Sequence, residues 1–450
     1  MNFQNESLVS FPRQMVVDWF LRPGAFARLT PPFEKISATG PVPAVSEGMV
    51  NTFKLWVGPL RFDWKSIHHL EKSQDFTDIS LKGPFSQWKH HHQFFVEKNS
   101  TRLRDHIEWS GPLLPALSPL FSGKVNRTLE KTFQFRERRL RHDLGRHEKF
   151  LDQPRLKIGI TGASGVIGSA LSAFLSTGGH EVKHFVRRKG ASEQEIYWNP
   201  KTQEIDLEKV RTLDAVIHLA GENVAGHRWT PDFKKEVLDS RVLGTSLIAK
   251  TLASLKDKPR KLISTSAIGI YSGGFLGEVC EAWENALEPA RNQEHLKVTI
   301  TRIGVVLTSK GGALKELTLP TLLGLGGKLG SGQQPMSWIS QDDVLGAFLE
   351  ILMNPEASEK IYDLVSPQPI LQSDLSKTLS EVLHRPHFFT IPKLAIKMAL
   401  GQMGQEVLLS GQEVFPVGLQ KLNFKFEFSL LEDLLRFELG KSPKKKTREA

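Results

Sequence analysis

The chain has 450 residues, 40% of them apolar and 24% charged, a globular composition long enough for two or three domains, each with its own core. Its net charge of +10 is not one basic patch, because residues 1–150 hold 22 Lys+Arg against 15 Asp+Glu, the tail 441–450 adds five basic residues to one acidic, and 151–440 is close to neutral; no nucleic-acid partner is expected. A single cysteine, Cys280, excludes an internal disulfide and a cysteine-based metal cluster, while the lack of an apolar run of about 18 residues or of a basic-then-apolar leader predicts no membrane insertion, no export and a cytoplasmic location.

In chain order, residues 49–110 carry short runs, MVNTFKLWVG, RFDWKSIHHL, FTDISLKG, HHHQFFVEK and TRLRDHIEWS, separated by Gly, Pro or polar clusters. Their imperfect alternation predicts antiparallel strands. The segment 125–147 then places Val125, Leu129, Phe133, Leu140 and Leu144 on a helical stripe with charge between them, so a long helix laid on a sheet is expected. Together these read as an α+β domain over 1–150.

From 156 the rhythm changes. Apolar strands LKIGIT, EVKHFVR, DAVIHLAG, KLISTSAI and VTITRIGVVL alternate with helical stretches, the pattern of a parallel sheet buried on both faces. The expected fold class is therefore α/β, a Rossmann-type doubly wound sheet over 156–367, followed by a small helical region at 368–437 and a basic disordered tail at 438–450.

The stretch GITGASGVIG follows the first of these strands and opens a helix. Gly162, Gly165 and Gly168 permit a tight turn and a close backbone approach, and with Ala163, Ser164, Val166 and Ile167 they present amides at a helix N-terminus to a dinucleotide pyrophosphate. At the end of the next strand stand Arg187 and Arg188 with no carboxylate, a composition that suits a 2′-phosphate and favours NADP(H) over NAD(H).

GITGASGVIG, HLAGENVAG, STSAIGIY, TRIGVVL and WISQDD, in that order, resemble the extended short-chain dehydrogenase/reductases, and more narrowly the epimerase-like branch of the NAD-dependent epimerase/dehydratase proteins. The resemblance implies that Leu219, Ala220 and Gly221 also approach the cofactor. It further implies a substrate-capping region after 308 and a small extra C-terminal domain. LTPPF, GPFSQWKHHHQF and TRLRDHIEW resemble the START/polyketide-cyclase helix-grip domain, which implies a deep apolar cavity and an apolar ligand in residues 1–150.

In that family a Ser or Thr holds the substrate oxygen, a Tyr transfers the proton, and a Lys four residues on lowers the tyrosine pKa. YWNPK, residues 197–201, has the spacing, but Pro200 lies between Tyr197 and Lys201 and the stretch falls after the second strand rather than the fifth. Tyr362 is followed four residues later by Ser366 and lies far from the core motifs. Tyr271 is on the right segment, yet Phe275 and Val279 stand where the resemblance places the tyrosine and the lysine.

Ser266, or less favourably Thr265, and Tyr271 remain as catalytic candidates. Glu222, Asn223, Arg228, Trp229 and Arg302 are positional candidates, each with an ordinary structural alternative. Asp342 and Asp343 fit a helix N-cap. His90 and His92 share one strand face and His91 takes the other, so no metal site is expected from that triplet. Two readings stay open: an NADP(H)-dependent enzyme acting on a small carbonyl or hydroxyl compound, and a dinucleotide-binding sensor without turnover.

Overall fold

The computed structural model describes residues 1–38, 42–111, 118–190, 192–357 and 360–443. It divides into two compact units, one built on Met1–Leu151 and one on Asp152–Ser172 with His180–Arg436.

In the first unit, β1 (Asn2–Val9), α1 (Arg13–Leu21), α2 (Ala25–Leu29) and β2 (Ile36–Ala38) precede β3 (Val50–Val57), β4 (Leu60–Leu70), β5 (Phe76–Lys82), β6 (Gln87–Glu97) and β7 (Ser100–Ser110), and α3 (Ser118–Glu148) closes it. The seven strands form one antiparallel sheet in the order β1-β7-β6-β5-β4-β3-β2. Alternation along β7 buries Thr101, Leu103, Asp105, Ile107 and Trp109 on one face, as the period of two requires. The helix stripe meets that face: Leu140 and Leu144 join Phe20, Phe76 and Phe94 in one core, while Phe133 joins Ile107 and Trp109 in another. Each buried Leu or Phe contributes about 1.5 to 3 kcal/mol.

The α+β architecture is thus as expected, with β1, α1, α2 and β2 added. A cavity of about 20 Å³ lies between sheet and helix, lined by Asn5, Ser7, Asp105, Arg136 and Glu137 among apolar neighbours. It has room for a water or an ion.

The second unit opens with β8 (Lys157–Thr161) and α4 (Val166–Thr177). Of α4, the residues from Ala173 on group with the first unit. The second unit continues through β9 (Glu181–Val186), β10 (Glu195–Asn199), β11 (Glu204–Ile205), α5 (Leu207–Val210), β12 (Ala215–His218), α6 (Pro231–Ser254), β13 (Lys261–Ala267), α7 (Gly274–Asn285), α8 (Glu288–Arg291) and β14 (Lys297–Ile303). The sheet order is β11-β10-β9-β8-β12-β13-β14 and then the strand Ile361–Leu364, parallel throughout except for β11. The order reverses between β8 and β12, where a doubly wound sheet leaves its crevice.

The strands β10 and Ile361–Leu364 were not legible as strands. Both are short, and the first is an amphipathic five-residue run that reads equally as loop. Residues 368–436, including the helices Gln372–Leu383 and Lys393–Met403, fall within the second unit. Ser340 caps the helix Gln341–Met353 by accepting from the Asp343 amide at 2.9 Å, and Asp343 accepts from the Glu427 and Phe428 amides at 2.7 and 3.1 Å. No described helix is long and apolar enough to cross a membrane. Residues 444–450 of the expected tail lie outside the described residues.

Candidate functional site

The glycine turn links β8 to α4 at the reversal of strand order. Gly162 has φ of +67°, and a Cβ there would stand 2.9 Å from the Leu219 carbonyl group. A Cβ on Gly168 would collide with the Gly162 carbonyl oxygen and lie 2.9 Å from Ala163 Cα. The Gly165 amide closes the turn on Gly162 O at 3.0 Å, and the Ser169 amide begins the helix on Gly165 O at 3.0 Å. The amides between them, those of Val166, Ile167 and Gly168, are the orphan donors of a helix N-terminus, the donor set that fits a pyrophosphate.

A buried relay that sequence reasoning missed holds the second wall of this crevice. Thr161 Oγ1 accepts from the amides of Leu219 and Ala220 at 3.0 and 3.2 Å and lies 2.8 Å from His218 Nδ1. With both lone pairs engaged, the hydroxyl proton goes to Nδ1, so His218 is neutral and donates from Nε2 to Thr245 Oγ1 at 3.0 Å. Burial pushes the His218 pKa down to about 4, which agrees with that tautomer. The relay ties Leu219, Ala220 and, through them, Gly221 to the glycine turn. Its signal in the sequence was a histidine ending an otherwise apolar strand.

The arginine pair separates. Arg188 forms an ion pair with Glu195, its Nη2 lying 2.5 Å from Oε2, so its guanidinium is already engaged. Arg187 is exposed at the end of β9 and has no ion pair among the described residues.

Tyr197 lies on β10, not on a helix, and its hydroxyl donates to Glu204 at 2.8 Å; the chain turns at Pro200 before Lys201. Tyr362 is fully buried in the core. Tyr271 is 47% exposed at the end of a short 3-10 turn, Ile268–Tyr271. Its hydroxyl accepts from Arg302 Nη1 at 2.7 Å and donates to Asp363 Oδ1 at 3.0 Å. Partial burial raises the Tyr271 pKa, and the Asp363 charge adds to that rise while Arg302 opposes it. The phenol therefore keeps its proton at neutral pH, which suits a proton donor and not a base.

Arg302 is held by Glu284 in a two-pronged pair, Nε to Oε1 and Nη2 to Oε2, both at 2.8 Å. Its structural alternative, a carboxylate pair, is what the structure shows: two nitrogens face Glu284 and the third faces Tyr271. Ser266 is in register with Arg302, and Arg302 with Asp363, across three neighbouring strands. Ser266 Oγ is buried without a hydrogen-bond partner and lies against Cys280 of α7. Thr265 Oγ1 is spent on the His218 carbonyl at 3.0 Å.

Phe275 and Val279 pack with Phe233 and Val237 in an apolar cluster, and Phe275 meets Trp229 edge-on at 4.9 Å. Of the tyrosine and lysine positions implied by the resemblance, Val279 is thus buried in the cluster and Phe275 packs against it partly exposed. Glu222, Asn223 and Arg228 lie on an exposed loop whose turn closes through Gly226 N to Asn223 O at 2.9 Å. Trp229 folds back to donate to the Val224 carbonyl at 2.8 Å.

Comparison with known proteins follows this geometry. Residues 158–282 match the model of the NAD dependent epimerase/dehydratase family, and 391–438 match a domain of unknown function, DUF1731. An epimerase family protein of Mycobacterium bovis is 34% identical over 294 residues, 62% of this chain and 96% of that one. A crystal structure described as a nucleoside-diphosphate sugar epimerase from Corynebacterium glutamicum superposes with a TM-score of 0.78 at 28% identity, covering 97% of this chain and 90% of that one. The human epimerase family protein SDR39U1, solved with NADPH, gives a TM-score of 0.56 at 27% identity over 63% of this chain and 99% of its own.

Proposed function

The chain belongs to the NAD dependent epimerase/dehydratase family, and from that premise we propose that it is an NADP(H)-using oxidoreductase acting on a small carbonyl or hydroxyl compound. The observation that carries this reading is the glycine turn, whose Gly162 and Gly168 leave no room for a side chain and whose Val166, Ile167 and Gly168 amides open at the reversal of strand order. The NADPH bound to the human relative and the exposed Arg187 support NADP(H) over NAD(H).

A bound nicotinamide supplies the two-electron chemistry. The residues of this chain position and protonate. Tyr271 delivers a proton from its hydroxyl to the substrate oxygen, and Arg302, locked by Glu284, stabilises the phenolate left behind. Asp363 orients the hydroxyl. Ser266, whose buried hydroxyl lies beside Cys280, is the candidate contact for the substrate oxygen. The first unit, with its antiparallel sheet and long closing helix, is of the helix-grip kind under the same reading.

A second reading, a dinucleotide-binding sensor without turnover, is favoured by one observation, the apolar packing of Phe275 and Val279 where the Tyr-Lys pair would stand. Purified protein titrated with NADPH and NADH, then assayed for cofactor oxidation with a panel of small carbonyl compounds, separates the two. Oxidation lost in Tyr271→Phe establishes the enzyme; tight binding without oxidation across the panel supports the sensor; failure to bind either cofactor sinks both.

A further inference from the structure

The buried face of the sheet in the first unit carries five ionisable side chains where a sheet ordinarily carries hydrocarbon. Register sets His68 of β4 beside Asp78 of β5 and Asp78 beside His90 of β6; one pleat further, His92 stands beside Asp105 of β7. The three imidazoles and Asp105 are buried, and the Asp78 side chain keeps 22% exposure. Charges are buried at this depth when they are paired or hold a metal.

The hydrogen-bond geometry demands a cation. His92 directs Nδ1 at Asp105 Oδ1, 2.8 Å away, and Nε2 at Asp78 Oδ2, 3.3 Å away. His68 directs Nδ1 at the Met49 carbonyl, 3.2 Å away, and Nε2 at Asp78 Oδ1, 2.5 Å away. A neutral imidazole has one N–H, so each ring facing two acceptors leaves one lone pair aimed at oxygen unless a positive charge intervenes. At His68 only a proton satisfies this; at His92 either a proton or a metal ion does.

We infer that Asp78, His90 and His92 bind a divalent transition-metal ion of the zinc class. Ligand atoms of these three residues all lie within 4.8 Å of one another. The 3.3 Å between His92 Nε2 and Asp78 Oδ2 matches the ligand separation of a tetrahedral zinc site, about 3.3 Å for bonds of about 2.0 to 2.1 Å. Two imidazoles and a carboxylate are a donor set that zinc takes readily.

The surroundings supply the rest of such a site. Asp105 Oδ1 stands 2.8 Å from His92 Nδ1, where a carboxylate–histidine–metal arrangement places its carboxylate, and His68 approaches one oxygen of Asp78 while the other remains for the ion. His90 Nε2 lies 3.0 Å from the same Asp105. The cavity of about 20 Å³ is lined by His92 and Asp105, so a water fits as a fourth ligand.

The decisive experiment is an anomalous difference map from crystals of the full chain soaked in zinc chloride. A peak bonded to Asp78, His90 and His92 is expected. No peak there, or zinc on other histidines only, would mean that protons alone balance the carboxylates, and the inference fails. In solution, zinc dialysed against the full chain should bind at least tenfold more weakly to Asp78→Asn, and unchanged to His91→Asn, whose ring is on the opposite face. Equal binding to all three proteins would also overturn it; should Asp78→Asn not fold, the map on unmodified protein decides.

Discussion

Arg302 reaches Tyr271 with the one guanidinium nitrogen that Glu284 does not hold, placing Nη1 2.7 Å from the phenol oxygen. The cation beside Tyr271 thus comes from a neighbouring strand and not from its own helical turn. Tyr271→Phe should lower any NADPH-dependent reduction on the order of 10²- to 10⁴-fold while leaving the Kd for NADPH within about twofold. Parallel losses of binding and turnover would instead make Tyr271 a cofactor contact.

The glycine turn should tolerate no side chain. Gly162→Ala meets both a left-handed backbone, costing about 1 to 3 kcal/mol, and the Leu219 carbonyl. Nicotinamide fluorescence should show binding of both cofactors lost, with the far-ultraviolet circular dichroism retained. Undiminished binding would remove the pyrophosphate from this turn.

Cofactor choice should rest on Arg187 more than on Arg188. Arg187→Ala is expected to weaken NADPH binding about tenfold, the worth of a charge-assisted contact to phosphate, and to leave NADH unchanged. Arg188→Ala should do less, since Glu195 already engages that guanidinium, and Glu195→Gln should strengthen NADPH binding by freeing it. Matching losses for NADH and NADPH in the Arg187 variant would exclude a role at the 2′-phosphate.

His218 makes the second unit sensitive to acid. Its pKa falls from 6.5 to about 4 on folding, so between those values the unfolded chain binds more protons and stability rises with pH. The contribution is complete above about pH 6.5 and is lost as pH falls towards 4, on the order of 3 kcal/mol in all. Urea midpoints across this window should slope less steeply in His218→Gln than in the parent chain; identical slopes would place the acid sensitivity elsewhere.

In the first unit, Arg28 and Asp143 form a fully buried two-pronged pair, Nε to Oδ2 at 2.8 Å and Nη2 to Oδ1 at 2.6 Å. Arg28 beside it helps to hold the Asp143 carboxyl below the usual carboxylate range, against the opposing effect of burial. Asp143→Asn should cost about 3 to 5 kcal/mol in urea unfolding, because it strands a buried charge. Arg28→Met combined with Asp143→Leu should recover most of that loss. If the double variant is no better than the single one, the pair is not an isolated unit.

What the sequence determined by itself was what local backbone chemistry dictates. Glycines in GITGASGVIG admit only one kind of turn, alternation marked β3 to β7, and Pro200 disqualified Tyr197 and Lys201 without any structure. The stripe from Val125 to Leu144 announced the long helix, whereas the cap expected of Asp342 and Asp343 falls to Ser340, and both aspartates stand in the first turn. What tertiary structure decided were pairings set by register between distant residues. His90 and His92 argued against a metal while only their own strand was considered; Asp78 and Asp105 arrive from the strands on either side. In the same way Glu195 engages Arg188, and Arg302 reaches Tyr271 across 31 positions of sequence. Such contacts leave no local pattern, because a strand's neighbours are chosen by the whole sheet and by the core it buries, and not by the residues along the strand itself.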